Sequence, residues 1–210
     1  DLLGMVGMHG SYVANMAMSE TDLIIALGAR FDDRVTGKLS EFAKYAQIVH
    51  IDIDPSSISK IVDVTYPIVG DVSSVLEELL GLIKNDFEVK NILPWKETLE
   101  RYNKLHPLSY EDSQEVLKPQ WIIKKVGEIL GNEALISTDV GQHQMWAAQF
   151  YPFNFPRQFI TSGGLGTMGF GLPAAMGAKK AFPKKVSINI TGDGSILMNI
   201  QELMTCSVYN

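Results

Sequence analysis

The chain has 210 residues, 46% hydrophobic and 20% charged, with a formal net charge of −6 at pH 7. That composition places it among globular chains large enough for one or two cores, and its negative charge argues against nucleic acid or an anionic membrane surface as partner. A single cysteine, Cys206, excludes an intrachain disulfide framework and a cysteine zinc site, leaving a buried structural thiol as the expectation. No apolar run approaches the length of a membrane span, so a cytoplasmic location is expected.

In chain order, residues 11–20 read as a helix. Residues 23–27 (Leu-Ile-Ile-Ala-Leu) form a fully apolar strand that ends in Gly28, and residues 47–54 form a second strand stopped by Pro55. A short third strand is expected over 66–71. A helix over 73–84 follows, with Ser73 as its N-cap and Val75, Leu76, Leu79, Leu80 and Ile83 on its core face. Residues 85–118 carry Pro94, Pro107 and many charges around one helical stretch near 95–105, and read as a linker. A second unit begins at Pro119, a good first helical residue, with a helix over 120–130 and a strand over 134–138. Further expected elements are a helix rich in Met, Trp and Ala after the loop 139–143, a strand over 159–161, a helix over 174–182 and a strand over 186–190. The alternation of strand and helix predicts α/β architecture: two doubly wound parallel-sheet units, residues 1–84 and 119–210, both incomplete. The first residue is Asp1 and the last helix lacks a following strand, so an internal piece of a longer polypeptide is expected.

The chemistry concentrates at strand ends. Residues 191–195 (Thr-Gly-Asp-Gly-Ser) close the strand 186–190 and open a helix expected to continue over 196–204. Asp193 cannot bind phosphate, but it can hold a Mg²⁺ that does, since Mg²⁺ takes one or two carboxylates plus phosphate oxygens. The competing reading is a solvated acid at an ordinary turn. Gly141, Gln142 and His143 follow the strand 134–138 and carry donors suited to phosphate, although His143 can equally be a locally bonded surface histidine. Residues 162–173 hold five glycines, which allow a backbone to approach a ligand without Cβ obstruction. Met145, Trp146, Met168 and Met198 fit either a core or a cofactor wall; glycines around Met168 favour the latter. In open α/β sheets ligands bind outside the carboxyl ends of strands, where these loops fall.

Residues 138–204 resemble the diphosphate-binding domain of thiamine-diphosphate enzymes. The runs 141–149 (Gly-Gln-His-Gln-Met-Trp-Ala-Ala-Gln) and 160–175 are similar, more narrowly, to the acetohydroxyacid (acetolactate) synthase catalytic subunit family. Gly7-Met8-His9-Gly10, the run 28–37 and the run 50–55 (His-Ile-Asp-Ile-Asp-Pro) resemble that family's FAD-binding middle domain. The resemblance implies Asp193 as a Mg²⁺ ligand. It implies diphosphate contacts from Gly141, Gln142, His143, Gly192, Gly194 and Ser195, and contacts to the rest of thiamine diphosphate from Gly166, Met168 and Met198. For FAD it implies Gly7, Met8, His9, Gly28, Ala29, Arg30, Asp32, Val35, Asp52, Ile53, Asp71 and Val72. Asp33 and Arg34 resemble residues lining the substrate channel. The family's activating glutamate and its metal-binding asparagine have no counterpart in this sequence; Asn210 falls short of the latter position.

The activity so implied is decarboxylation of pyruvate and transfer of the two-carbon unit to a second 2-keto acid, pyruvate or 2-ketobutyrate, in branched-chain amino-acid biosynthesis. FAD would have no net redox role. A homodimer or higher oligomer, a small regulatory subunit, and a plastid or mitochondrial location in a eukaryote are further implications of the family. A pyruvate oxidase relative with redox-active FAD, or a non-catalytic binding module of the same fold, are the alternatives; the runs 28–37 and 141–149 favour the synthase.

Overall fold

The computed structural model describes residues 2–86 and 91–209, which divide into two units, Asp1–Leu108 and Ser109–Asn210. In the first, α1 (Tyr12–Glu20) precedes β1 (Leu23–Leu27), the single turn α2 (Asp33–Thr36), β2 (Gln47–Asp52), β3 (Tyr66–Val69), α3 (Val72–Asp86) and α4 (Leu93–Leu105). The strands form a parallel sheet ordered β1-β2-β3, with Ile24 beside Ile48 and Ile51 beside both Leu27 and Ile68. Ser11 caps α1 by accepting from the Ala14 N–H. Ile24, Ala26, Phe31, Ala43 and Ile48 form the core on one face of the sheet.

In β1, at the residues expected, Ile24 and Ala26 point into the core while Leu23, Ile25 and Leu27 are 45–49% exposed, the two-residue period of a strand covered on one side. Two expectations for this unit change in the fold, both on α3. Helix α3 starts at Val72, because the Asp71 carboxylate accepts from both the N–H and the hydroxyl of Ser74, so Asp71 and not Ser73 bonds its first turn. On α3, Val75, Leu76 and Leu79 are half-buried, whereas Leu80 and Ile83 are exposed.

The stretch 85–118, expected as a linker, is shared out between the units where it is described; residues 87–90 lie outside the described residues. Helix α4 lies on α1, with the Tyr102 hydroxyl donating to the Glu20 carboxylate at 2.8 Å and the Tyr12 and Tyr102 rings edge to face at 6.0 Å. Tyr110 instead meets Phe150 edge-on in the second unit, at 5.6 Å.

The second unit runs α5 (Pro119–Leu130), β4 (Ala134–Thr138), α6 (Gln142–Phe150), β5 (Phe159–Thr161), α7 (Gly171–Ala181), β6 (Val186–Ile190), α8 (Asp193–Ile196) and α9 (Glu202–Tyr209). Its parallel sheet is ordered β5-β4-β6, and β4 is buried at every residue, as a central parallel strand should be. Ile123, Ala134, Ile136, Ala147, Phe150 and Tyr151 make the core. The helix expected over 196–204 is interrupted. Between α8 and α9 the backbone closes i→i+3 bonds, such as Met198 N–H to Ser195 and Glu202 N–H to Asn199, while the Asn199 side chain donates to the Gly169 carbonyl at 2.7 Å. Cys206, on α9, is exposed rather than buried, because α9 contributes no buried residue. Among the described residues no helix is long and apolar enough to cross a membrane.

Gly127 on α5 is buried where a Cβ would strike the Pro152 ring. Alanine would gain about 1 kcal/mol of helix propensity, but overpacking against a rigid ring costs about 1–3 kcal/mol. Gly127→Ala is therefore expected to lower the urea midpoint of the protein; an unchanged or raised midpoint would mean the ring yields.

Candidate functional site

Three loops leave the carboxyl ends of β4, β5 and β6 in the second unit and meet through specific contacts. From β4, Val140, Gly141 and Gln142 enter α6, with Gly141 as the residue before the helix at φ 150°. From β6, Gly192 precedes α8, which begins with Asp193. The His143 imidazole sits between these two loops: a Cβ on Gly141 would lie 3.0 Å from its Cε1, and one on Gly192 would lie 3.1 Å from the same atom. Neither position has room for a side chain while the ring stays there.

The glycine-rich loop after β5 closes the third side. Gly166 adopts φ +73° and lies beside Val140, while the Met168 methyl reaches within 3.7 Å of where a Cβ of Gly194 would be. Gly169, at φ +85°, packs against Met198 and Asn199 closely enough that any Cβ would overlap them. Met168 and Met198 are 50% and 53% exposed, so these methionines form a surface wall and not a core. Ser195 is buried, and Gln142 and Asp193 point to solvent. All nine candidate diphosphate and thiamine residues, with Asp193, thus lie at one sheet edge, on the loops after the strands and on the helical turns that those loops enter.

His143 Nε2 is buried without a hydrogen-bond partner. Burial lowers the affinity of this imidazole for a proton below its ordinary value, while the charge and backbone of Asp139 pull it upward. Glycines that leave backbone bare at the starts of α6 and α8 suit an anionic ligand, so the residues present fit a diphosphate, and the partnerless Nε2 lies beside that backbone. Among the described residues no group of three or more His, Cys, Asp or Glu could hold a metal. A metal at Asp193 would draw its remaining ligands from elsewhere, as Mg²⁺ commonly does from phosphate and water.

In the first unit the candidates fall at the carboxyl ends of all three strands. Gly28 (φ +59°), Ala29 and Arg30 follow β1, Asp52 ends β2 with Ile53 next, and Asp71 with Val72 follows β3. Local bonds occupy part of each acid: Asp52 accepts from the Asp54 N–H at 2.9 Å, and Asp71 from Ser74. Arg30 pairs with Asp32 at 2.6 Å, and the other Asp32 oxygen is buried without a partner. The Gly7-Met8-His9 loop lies on α2: the Met8 N–H donates to the Arg34 carbonyl at 2.8 Å, and a Cβ on buried Gly7 would strike that same carbonyl. Gly7, Met8, Asp33, Arg34 and Val35 share an open cleft of about 350 Å³, and the Asp33 and Arg34 side chains are exposed. A bare backbone, an orphaned carboxylate oxygen and an arginine at strand ends fit a dinucleotide.

Sequence reasoning passed over the residues that tie the loops together. Asp139 is fully buried; its Oδ1 accepts from the Gly171 N–H at 3.0 Å and its Oδ2 from the Thr191 hydroxyl at 2.7 Å. Asn199 holds Gly169. The available signal was an acid directly after the strand 134–138 (Ala-Leu-Ile-Ser-Thr), a position where a buried charge persists only if it is bonded.

Residues 1–79 match the family described as thiamine pyrophosphate enzyme, central domain, and residues 139–210 match thiamine pyrophosphate enzyme, C-terminal TPP binding domain. The chain belongs to the thiamine pyrophosphate enzymes. Within them it is similar to acetolactate synthases. It is 50% identical over 208 residues to the acetolactate synthase large subunit of Buchnera aphidicola subsp. Acyrthosiphon pisum (99% of this chain, 36% of that protein). It is 49% identical over 210 residues to the acetolactate synthase isozyme 3 large subunit of Escherichia coli K12 (99% and 37%). To the chloroplastic acetolactate synthase 1 of Nicotiana tabacum it is 47% identical over 215 residues (99% and 32%). The chain spans about a third of the length of these curated relatives.

Because the folded state holds His143 below the ordinary imidazole value of 6.5, protonation favours the unfolded chain. The stability contributed by the neutral ring is present above pH 6.5 and is lost as pH falls through the folded-state value. Urea denaturation at pH 7 and pH 5 should therefore show a smaller acid loss in His143→Gln than in wild type. Equal losses in the two proteins would place no titration at this ring.

Proposed function

We propose that the chain is part of the catalytic large subunit of an acetolactate synthase, comprising the later part of an FAD-binding middle domain (1–84) and the first part of the thiamine-diphosphate domain (119–210). The observation that carries the reading is the convergence of the β4, β5 and β6 loops around His143, Gly192 and Met168, in a chain about half identical to such subunits over its whole length. Gly141, Gln142, His143, Gly192, Gly194 and Ser195 would hold the diphosphate, and Asp193 a bridging Mg²⁺. Gly166, Met168 and Met198 would flank the organic rings. When bound, thiamine diphosphate supplies the carbanion chemistry that lets pyruvate lose CO₂ and donate a two-carbon unit.

The chain's own part in that chemistry is placement. The glycines let backbone close on the ligand, the exposed methionines give it an apolar wall, and His143 offers a ring nitrogen that bonds nothing else. In the first unit, Arg30 and the strand-end residues Gly28, Ala29, Asp52, Ile53, Asp71 and Val72 would hold FAD together with Gly7, Met8, His9, Asp32 and Val35. Asp33 and Arg34, exposed in their cleft, would face the route of a 2-keto acid. The second substrate would be pyruvate or 2-ketobutyrate, in branched-chain amino-acid synthesis. The working enzyme would be a homodimer or larger assembly, joined by a small regulatory subunit, in the cytoplasm or, in a eukaryote, an organelle.

The full-length protein, supplied with pyruvate, Mg²⁺, thiamine diphosphate and FAD, is expected to release acetolactate. Acetyl phosphate and peroxide in its place would make it an oxidase, and no turnover of pyruvate would reject the reading.

Cofactor retention separates the two sites. Asp193→Ala should abolish Mg²⁺-dependent thiamine diphosphate binding and leave flavin in place, whereas Arg30→Ala should give a protein depleted of yellow flavin on purification. Wild-type retention in either variant, read by calorimetry and by flavin absorbance, would remove that residue from its site.

A further inference from the structure

The bonds around Asp139 account for more than the stability of one loop. This acid directly follows β4, the central strand, and is fully buried. Each of its oxygens serves a different neighbour: Oδ1 takes the N–H of Gly171, the first residue of α7, and Oδ2 takes the hydroxyl of Thr191, just after β6. Its own N–H donates to the Ile190 carbonyl at 3.2 Å, continuing the β4–β6 ladder by one step. Gly171 is held so close that a Cβ there would collide with Asn189 and lie 2.8 Å from the Asp139 nitrogen.

Thr191 stands two residues before Asp193 and one before Gly192, which touches the His143 ring. A carboxylate at this point is a costly choice for a purely structural tie, since a buried charge must recover its hydration from hydrogen bonds. Two donors from two loops give it that recovery and make the spacing of those loops depend on one side chain. We infer that Asp139 is a positioning residue for the metal and diphosphate site, setting the Thr191-Gly192-Asp193 segment against the start of α7 through the Thr191 hydroxyl. Its charge and backbone also act on His143, against the effect of burial on that ring. The role rests on the assignment of this loop cluster to thiamine diphosphate and Mg²⁺.

The bond is tested in the full-length protein by titrating Mg²⁺ at fixed thiamine diphosphate in a calorimeter, with Tm recorded alongside. Thr191→Val, which removes one hydroxyl at nearly constant volume, should weaken apparent Mg²⁺ affinity roughly tenfold, the usual scale for losing a partner behind a metal ligand. Thr191→Ser keeps the hydroxyl and should restore affinity. Asp139→Asn should weaken it at least as much, and adding Thr191→Val to Asp139→Asn should cause little further loss, because the two act as one unit. If Asp139→Asn does not fold, the Thr191 pair alone decides. Wild-type Mg²⁺ affinity in Thr191→Val, with or without a lower Tm, would reduce the bond to a structural tie and overturn the inference while leaving the functional reading intact. A wild-type protein that binds no Mg²⁺–thiamine diphosphate would remove both.

Discussion

Everything at the carboxyl edge of the second sheet depends on how closely the Gly171 backbone approaches Asp139. Helix α7 begins against the end of β4 with no space for a Cβ, and the Gly171 N–H goes straight into a buried carboxylate. Move α7 outward by the radius of a methyl group and that bond opens, leaving a charged oxygen unsatisfied in a dry setting, which costs several times what an ordinary exposed bond contributes. The Ser137 hydroxyl adds a parallel restraint, donating to the Gly171 carbonyl at 2.9 Å. With α7 held, the glycine-rich run before it must span from β5 to Gly171 in a fixed path, which brings Gly169 onto Met198 and Asn199. The same requirement explains why the helix after Asp193 stops at Ile196: Asn199 is needed at the Gly169 carbonyl, and a continuous α-helix would carry it elsewhere.

The first unit solves a similar problem with turns instead of a buried acid. Its three strands end in residues whose polar groups are largely committed to neighbours one to three positions on, such as Asp54 to Ser56 and Asp71 to Ser74. Phe31, a bulky residue at φ +53°, is kept in that uncommon conformation by burial, with its ring edge-on to His50 at 5.1 Å and to Phe42 at 6.1 Å. Aromatic packing thus supports the 28–37 loop from beneath. Its upper side, where Gly28, Arg30, Asp33 and Arg34 lie, stays exposed.

The α/β architecture was readable because both signals that specify it are local. Apolar runs such as 23–27 have the length and composition of strands, and Pro119 marks a helix start by its own chemistry. The loops carrying candidate residues were equally visible, since glycines beside an acid or a histidine at the end of a strand are a pattern in the chain itself. Less visible was the fate of amphipathic positions. Leu80, Ile83 and Cys206 have the character of core residues, yet each is exposed, because burial depends on what lies opposite and not on the residue's own hydropathy.

The sequence by itself determined the order of strands and helices, the parallel sheets they build, and which strand-end loops are rich in glycine and carry the acid and histidine candidates. Spacing and residue chemistry act over a few positions and need no knowledge of distant partners. Tertiary structure alone decided that His143 lies against Gly192, about fifty residues away in sequence, and that Thr191 and Gly171 share one buried carboxylate. It also decided that Asn199 breaks a helix in order to hold Gly169. Those are long-range pairings between elements that have already formed, and their energy comes from satisfying polar groups that packing has removed from water, a quantity no local pattern encodes.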